Sequence, residues 1–184
     1  MSAIPHPPRH AIARAVARIR AELADQVDAS VWSMDPDETR DTLVRLTELE
    51  AGIAELQVRV AAHAQAIAIE SDSGATSTAN WWAHTCRLAR PDAHRRTRLA
   101  AALADQTHQP LRHALAAGEV AVEQARVILH ALDELPTDLD PELVAKAQLY
   151  LVEQASLLDP KALRVIGQRL MTESPVRSQP TPRS

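Results

Sequence analysis

Five arginines lie within twelve consecutive positions of a chain whose overall charge is negative. The 184-residue chain has a formal net charge of −4, yet residues 71–113 hold six Arg against three Asp. The clustered side chains are Arg87, Arg90, Arg95, Arg96 and Arg98. Such a cluster can neutralise phosphates, and the start of a following helix offers free backbone N–H groups to the same anion. The cluster therefore predicts a contact with nucleic acid, DNA being the candidate partner.

The same arginines have a second interpretation, in which they serve the fold alone. They would then pair with acidic helix faces elsewhere in the chain, formed by Asp133, Glu134, Asp138 and Asp140, or by Glu48 and Glu50. Internal ion pairs would use up the positive charge and leave none for a ligand. Both interpretations stay open at the level of sequence.

Two adjacent tryptophans precede the arginines in the segment GATSTANWW, in a chain with no Phe and one Tyr. On a helix, Trp81 and Trp82 point about 100° apart, so one contact cannot bury both rings. We expect one ring to anchor the core and the other to be partly exposed beside the arginines. Trp82 is accordingly included among the candidate nucleic-acid contacts, although tryptophan also stacks on arginine for purely structural reasons.

Catalytic chemistry finds little support in the residue pattern. His84, His94, His108 and His113 fall in one region, but no pair has the i, i+4 spacing with a nearby carboxylate that zinc sites use. Cys86 is the only cysteine, and we expect it to be a small buried apolar residue. The four glycines are never clustered into a phosphate-binding loop. We therefore predict no catalytic residue, no metal and no cofactor.

The elements that must position these residues are helices. Alanine is abundant and cap-then-proline pairs recur along the chain, a pattern that predicts an all-α fold. We expect one helical domain over residues 1–173, with a first helix at 8–28, a long helix at 36–70 and a bundle of about six shorter helices at 76–171. The first two helices would form a long antiparallel hairpin. Residues 174–184 are predicted to be a disordered tail.

The long helix carries an apolar seam with alternating spacings of three and four, which is the a/d pattern of a coiled coil. We define the seam as Leu46, Leu49, Ile53, Leu56, Val60 and Ile67. His63 falls in the same register and is predicted to be a core histidine with a hydrogen-bond partner. The natural cover for the seam is the apolar stripe of the first helix, or the same helix in a second molecule.

Several features indicate a cytoplasmic protein that does not enter a membrane. No uncharged apolar run approaches the ~20 residues needed to span a bilayer, and the first ten residues, MSAIPHPPRH, contain three prolines where a signal peptide needs an apolar stretch. A single cysteine fits a reducing compartment.

Three phrases in order resemble a known bacterial family. They are ESDSGATSTANWWAHTCRLARPDAHRRTRLAAAL, HALAAGEVAVEQARVILHALDELP and LVEQASLLDPKALRVIGQRL. Together they resemble the 13E12 repeat family, a helical domain of unknown function often fused to a C-terminal HNH nuclease, over about residues 40–172. The His, Asn and paired Cys residues of an HNH nuclease would follow residue 172, where this chain has a Pro/Ser/Arg-rich segment.

The resemblance implies the non-catalytic half of a nuclease-associated protein, with no active-site residue to carry over. The nuclease could have been lost, truncated or encoded separately. Two function classes follow. One is a DNA-associated module that acts through the Arg-rich helix pair. The other is a protein interaction or dimerisation module that acts through the seam, with itself or a separate nuclease as partner and no nucleic-acid contact.

Overall fold

Helices account for the regular structure of the chain, as predicted. The computed structural model describes residues 9–173, with side chains to residue 170. This part contains eight α-helices and no strand, so the all-α fold class is confirmed. The helices are α1 (Ala11–Asp25), α2 (Pro36–Ala66), α3 (Thr78–Cys86), α4 (Arg90–Leu103), α5 (Gln109–Ala117), α6 (Val122–Asp133), α7 (Pro141–Ala155) and α8 (Pro160–Glu173).

The chain divides into two compact units, and the boundary lies between Asp41 and Thr42 inside α2. A single domain over residues 1–173 stays a prediction, as does the antiparallel hairpin of α1 and α2. Residues 174–184, predicted to be a tail, lie outside the described residues. Within the described part, no helix combines the length and the apolar character required to cross a membrane.

The first unit contains α1, a short 3-10 turn at Val31–Ser33 and the start of α2. The His10 ring caps α1, because its Nδ1 accepts a hydrogen bond from the backbone N–H of Ile12 at 3.2 Å. The helix is shorter than the predicted 8–28 span, and none of its residues is buried. Trp32 in the 3-10 turn is 92% exposed.

Local capping sets the helix starts, and the sequence predicted it correctly. The Asp35 carboxylate accepts from the N–H groups of Asp37 and Glu38, each at 2.8 Å. Glu38 accepts in return from the Asp35 N–H at 3.1 Å, which completes the capping box. Asp140 and Asp159 cap α7 and α8 in the same cap-then-proline way. The long helix ends at Ala66, four residues before the prediction, where Ala68 adopts a left-handed φ of 48°.

The core of the second unit is built around α6, which packs on α7 and α8, while α5 packs on α7. The largest fully buried side chains are aliphatic: Leu103, Leu111, Leu115, Val120, Ile128, Leu151 and Leu163. Gln124 of α6 is also buried, and its amide nitrogen donates to the carbonyls of Ala155 at 2.6 Å and Leu158 at 2.8 Å. Its amide oxygen accepts from the Ala121 N–H at 2.8 Å. One glutamine therefore ties the start of α6 to the turn between α7 and α8.

A face of small residues joins α2 to this core. The buried residues of α2 are Ala51, Glu55, Val58, Ala61 and Ala64. By the 100° step of a helix, most of this face lies opposite the predicted seam. Small residues allow close backbone approach here: a Cβ placed on Gly52 would lie 3.3 Å from the Ala116 carbonyl oxygen.

The seam itself is largely open in the single chain. Ile53 and Leu56 are half-buried, and the others are exposed: Leu46 by 50%, Leu49 by 43%, Val60 by 47% and Ile67 by 57%. The prediction that His63 is a core residue is wrong, because its side chain is exposed. The reason is that the helix buries its small-residue face, on which His63 does not lie.

Candidate nucleic-acid interface

A tight turn between α3 and α4 positions the arginines. Ser77 caps α3 by accepting from the Asn80 N–H at 3.2 Å. At the other end, Arg87 adopts a left-handed φ of 55°, and the Leu88 N–H bonds to the Ala83 carbonyl at 2.9 Å. This closure of the helix end allows α4 to begin three residues later, at Arg90, with Pro91 in its first turn.

The register of α4 decides which side chains it presents to solvent. Ala93, Thr97 and Ala100 are buried, and the Thr97 hydroxyl is satisfied by the Ala93 carbonyl at 3.0 Å. Arg90, His94 and Arg98 follow one another at i, i+4 and i+8, and all three are exposed. The rise of a helix makes this ridge about 12 Å long. Arg95 is exposed beside it.

Two of the five clustered arginines have partners close by. Arg95 forms an ion pair with Asp92 one turn earlier on α4. Arg96 donates to the Gln57 amide oxygen at 2.8 Å, and its guanidinium carbon lies 5.8 Å from the centroid of the Trp82 ring. Arg96 is therefore held between α2 and α3 and is only partly exposed.

The other three arginines have exposed guanidinium groups. Across residues 9–170, Arg87, Arg90 and Arg98 form no ion pair and no side-chain hydrogen bond. None of the five clustered arginines pairs with the distant carboxylates of the alternative interpretation. Asp133 nevertheless lines the same groove as Arg95 and Arg98. Arg95 and Arg96 also have other partners within the fold, so both interpretations stay predictions.

A cleft of about 540 Å³ opens where α2, α3, α4 and the start of α6 meet. Trp82 and Arg96 line one part of it, and Gln57 and Glu50 of α2 line another. Arg126 of α6 also reaches the cleft. Its Nε atom is buried without a hydrogen-bond acceptor among the described residues, and its Nη1 lies 3.6 Å from Glu123.

Arg90, Arg95 and Arg98 line two other grooves, so the structure does not gather the cluster into one pocket. Arg90 lines an open groove of about 480 Å³ with Trp81 and His84. Arg95 and Arg98 line another, of about 340 Å³, between α4 and α6. What Arg87, Arg90, Arg95 and Arg98 share is exposure on α4 and the turn before it. We call these four residues the arginine face.

The tryptophans follow the expectation only in part. Both rings are half-buried. Trp82 packs against the core and also contacts Arg96, so one ring takes both of the roles that were assigned to separate rings. Trp81 lies with Arg90 in the open groove. The sequence signal that could have distinguished them is the small buried pair Ala79 and Ala83, which mark the inner face of α3.

Cys86 is exposed, so its prediction as a buried residue is wrong. It lies at the last position of α3, where the chain turns outward at Arg87. No group of three His, Cys, Asp or Glu side chains that could hold a metal ion occurs in the part of the chain that the structure describes.

Two carboxylates near the interface have altered acidity. The Thr78 hydroxyl donates to Glu70 at 2.7 Å, and this hydrogen bond is the main reason that the pKa of Glu70 lies below its ordinary value. Backbone and side-chain hydrogen bonds from Thr107 lower the pKa of Asp105 in the same way. These hydrogen bonds join Glu70 to the start of α3 and Asp105 to the turn before α5.

Sequence reasoning missed two residues that the structure brings to the surface or to the cleft. Arg126 follows the candidate cluster by 28 positions and meets it only through the packing of α6 beside α4. Trp32, the most exposed of the three tryptophans, lies in a segment without apolar periodicity. No sequence pattern near Arg126 or Trp32 indicated a role for these residues.

Comparison with known proteins gives one match. No curated protein and no solved structure matches the chain. A protein-family model matches residues 40–174, which is well over half of the chain and includes α3 to α8. The match agrees with the expectation of a helical domain of unknown function that starts near residue 40. This chain therefore belongs to the family described as Domain of unknown function (DUF222).

Proposed function

We propose that this chain is a non-catalytic helical module that associates with DNA through the arginine face. The observation that carries the proposal is the exposure of Arg87, Arg90 and Arg98 without any carboxylate partner within residues 9–170. In a chain of net charge −4, three unpaired guanidinium groups on one helix and its preceding turn form a local positive surface. The resemblance to the 13E12 repeat family, with its frequent HNH nuclease partner, supports the same assignment.

The arginine face binds through phosphate contacts. The arginine face lies on α4 and the turn before it, and no side chain of it is fixed as a reader of base edges. Arginine contacts to phosphate position a protein on DNA without selecting a sequence. We therefore expect weak, sequence-independent binding that falls steeply with salt, because each neutralised phosphate releases counterions.

Trp82 has a supporting role in this proposal. Its ring contacts Arg96, which also donates a hydrogen bond to Gln57. Trp82 and Arg96 are therefore held within the fold and are not free to follow a phosphate chain. Trp81 lies with Arg90 in the open groove, where an unpaired base could stack on it. A preference for single strands over duplex would assign binding to this groove, and equal binding would assign it to phosphate attraction alone.

The test is fluorescence anisotropy of labelled duplex and single-stranded DNA at several salt concentrations. Engagement of all four arginines predicts a slope of log affinity against log salt of about −3 to −4 for duplex. The double variant Arg90→Gln/Arg98→Gln should reduce the steepness of this slope by about two. The matched control is Arg164→Gln/Arg169→Gln, which removes the same charge from exposed positions of α8 and should leave the slope unchanged.

Absence of binding at about 50 mM salt would overturn the proposal, because electrostatic contacts are strongest at low salt. An equal loss in the control would show that total charge, and not the arginine face, determines binding. The DNA recovered after incubation with Mg²⁺ should be uncut, and protein-dependent cleavage would contradict the non-catalytic assignment.

A further inference from the structure

The second unit buries one face of α2 and leaves a face of large apolar side chains mostly exposed. Alanines and Val58 form most of the buried face, whereas leucine, isoleucine and valine form the seam on the other side. Apolar faces of this kind on a soluble protein mark interaction sites, because exposed large side chains lose the free energy that burial would give. The seam runs along α2 from Leu46 and ends at Ile67, directly after the last helical residue, Ala66, over about 33 Å. Its partner must therefore be an elongated apolar surface.

We infer that the seam is the interface with a second copy of this chain, formed by two α2 helices in a parallel, in-register coiled coil. The residues at the a positions are Leu46, Ile53, Val60 and Ile67, and leucines occupy the d positions at Leu49 and Leu56. β-Branched residues at a with Leu at d favour two parallel strands.

Charge complementarity supports the same register. Arg45 takes a g position and Glu50 the e position five residues later, and both are exposed. In a parallel pair, the g residue of one helix meets the following e residue of the other. The two-fold symmetry would therefore form the Arg45–Glu50 pair twice, one on each side of the interface.

The first helix of the same chain is a poorer match for the seam. α1 has 15 residues, about 22 Å, and cannot cover a seam of about 33 Å. The α2 helix of a second copy carries the same seam, so its apolar side chains have the same length of helix and the same spacing. His63 is the one polar residue in the a/d register, and in the in-register pair it would face its own copy.

The experiment is sedimentation equilibrium of the full chain between about 1 and 300 μM. We expect a monomer–dimer equilibrium for the wild type. The variant Leu49→Glu/Val60→Glu should weaken dimerisation by roughly a hundredfold or more, because each chain would bring two unpaired carboxylates into the interface. Both residues are exposed in the single chain, so the variant should keep the circular dichroism spectrum of the wild type. The control Leu157→Glu changes a leucine that is 77% exposed outside the seam and should leave the equilibrium unchanged.

Three further variants test the arrangement of the helices. Arg45→Glu should weaken the dimer by placing like charges opposite each other, and Arg45→Glu/Glu50→Arg should restore it. His63→Leu should tighten it, because an apolar residue at d replaces a polar one.

A monomeric wild type at about 300 μM would overturn the inference, as would a Leu49→Glu/Val60→Glu dimer of unchanged affinity. A dimer in which the charge swap restores nothing would overturn the parallel arrangement. A monomeric wild type that loses thermal stability on Leu49→Glu/Val60→Glu substitution would identify α1 as the occupant. None of these results depends on DNA binding, so the two proposals stand or fall separately.

Discussion

Replacement of Gln124 should lower the free energy of unfolding of the second unit by more than the loss of a single hydrogen bond would. The side chain is buried and makes three hydrogen bonds, to the carbonyls of Ala155 and Leu158 and from the Ala121 N–H. In Gln124→Ala these three backbone groups lose their partner. With about 1 kcal/mol for each hydrogen bond, the loss is about 3 kcal/mol in the free energy of unfolding. That corresponds to a fall of roughly 10 °C in Tm for a unit of this size.

A charged replacement of Gln124 tests the same hydrogen bonds more sharply. Gln124→Glu keeps the acceptor for Ala121 but sets a carboxylate against two carbonyl oxygens, where the native amide donates. We expect it to destabilise the protein at least as much as Gln124→Ala at neutral pH. Part of the loss should return in acid, because the protonated carboxyl can donate one hydrogen bond.

The assay is urea denaturation followed by circular dichroism at 222 nm, together with thermal unfolding. The matched control is Gln154→Ala, a half-buried glutamine of α7 that forms no side-chain hydrogen bond within the described residues. It should cost less than about 1 kcal/mol. A Gln124→Ala variant within about 0.5 kcal/mol of the wild type would refute the reasoning, since water would then satisfy the three backbone groups equally well.

Two other perturbations follow from the contacts of single residues. Gly118→Ala should destabilise the protein more than Gly74→Ala in urea denaturation, although both glycines have a left-handed φ. A Cβ at position 118 would lie 2.6 Å from the Glu48 Cβ, whereas a Cβ at position 74 would meet no atom within 4 Å. Equal losses would show that the contact with α2 relaxes without cost. Thr78→Val should raise the pKa of Glu70 towards its ordinary value in an NMR titration, because the largest cause of its depression is the Thr78 hydrogen bond. The depressed folded-state pKa means that the contribution to stability is present above the unfolded value and is lost as pH falls through the folded value. An unchanged Glu70 pKa in the variant would contradict this cause.

Helices and their ends were predictable from the sequence because their causes are local. The Asp35 capping box, the Gly118 helix end and the Asp-Pro starts of α7 and α8 each depend on residues within four positions of one another. The end of the long helix was predicted wrongly because no capping residue marks it. The long helix ends at Ala66 through a left-handed Ala68, a position at which no glycine signals the turn.

Burial was less predictable because it depends on neighbours that are distant in sequence. In α2 the periodicity of large apolar residues indicated Leu46 to Ile67 as the contact face, whereas the second unit packs on Ala51, Val58 and Ala61. The same packing buries Glu55, which Arg59 satisfies at 2.8 Å. Periodicity identifies the most hydrophobic face of a helix. Close packing of α2 against the end of α5 requires small residues instead.

The sequence by itself determined the all-α class, the order of the helices and the existence of an arginine cluster, since these follow from local propensity and composition. Only the tertiary structure decided that Arg96 binds to Gln57 and Trp82 while Arg90 and Arg98 form no ion pair within residues 9–170. The physical reason is that an ion pair needs two side chains within about 4 Å. Whether a carboxylate from a distant helix comes that close depends on how helices pack, and each packing angle is set by side chains from several elements at once.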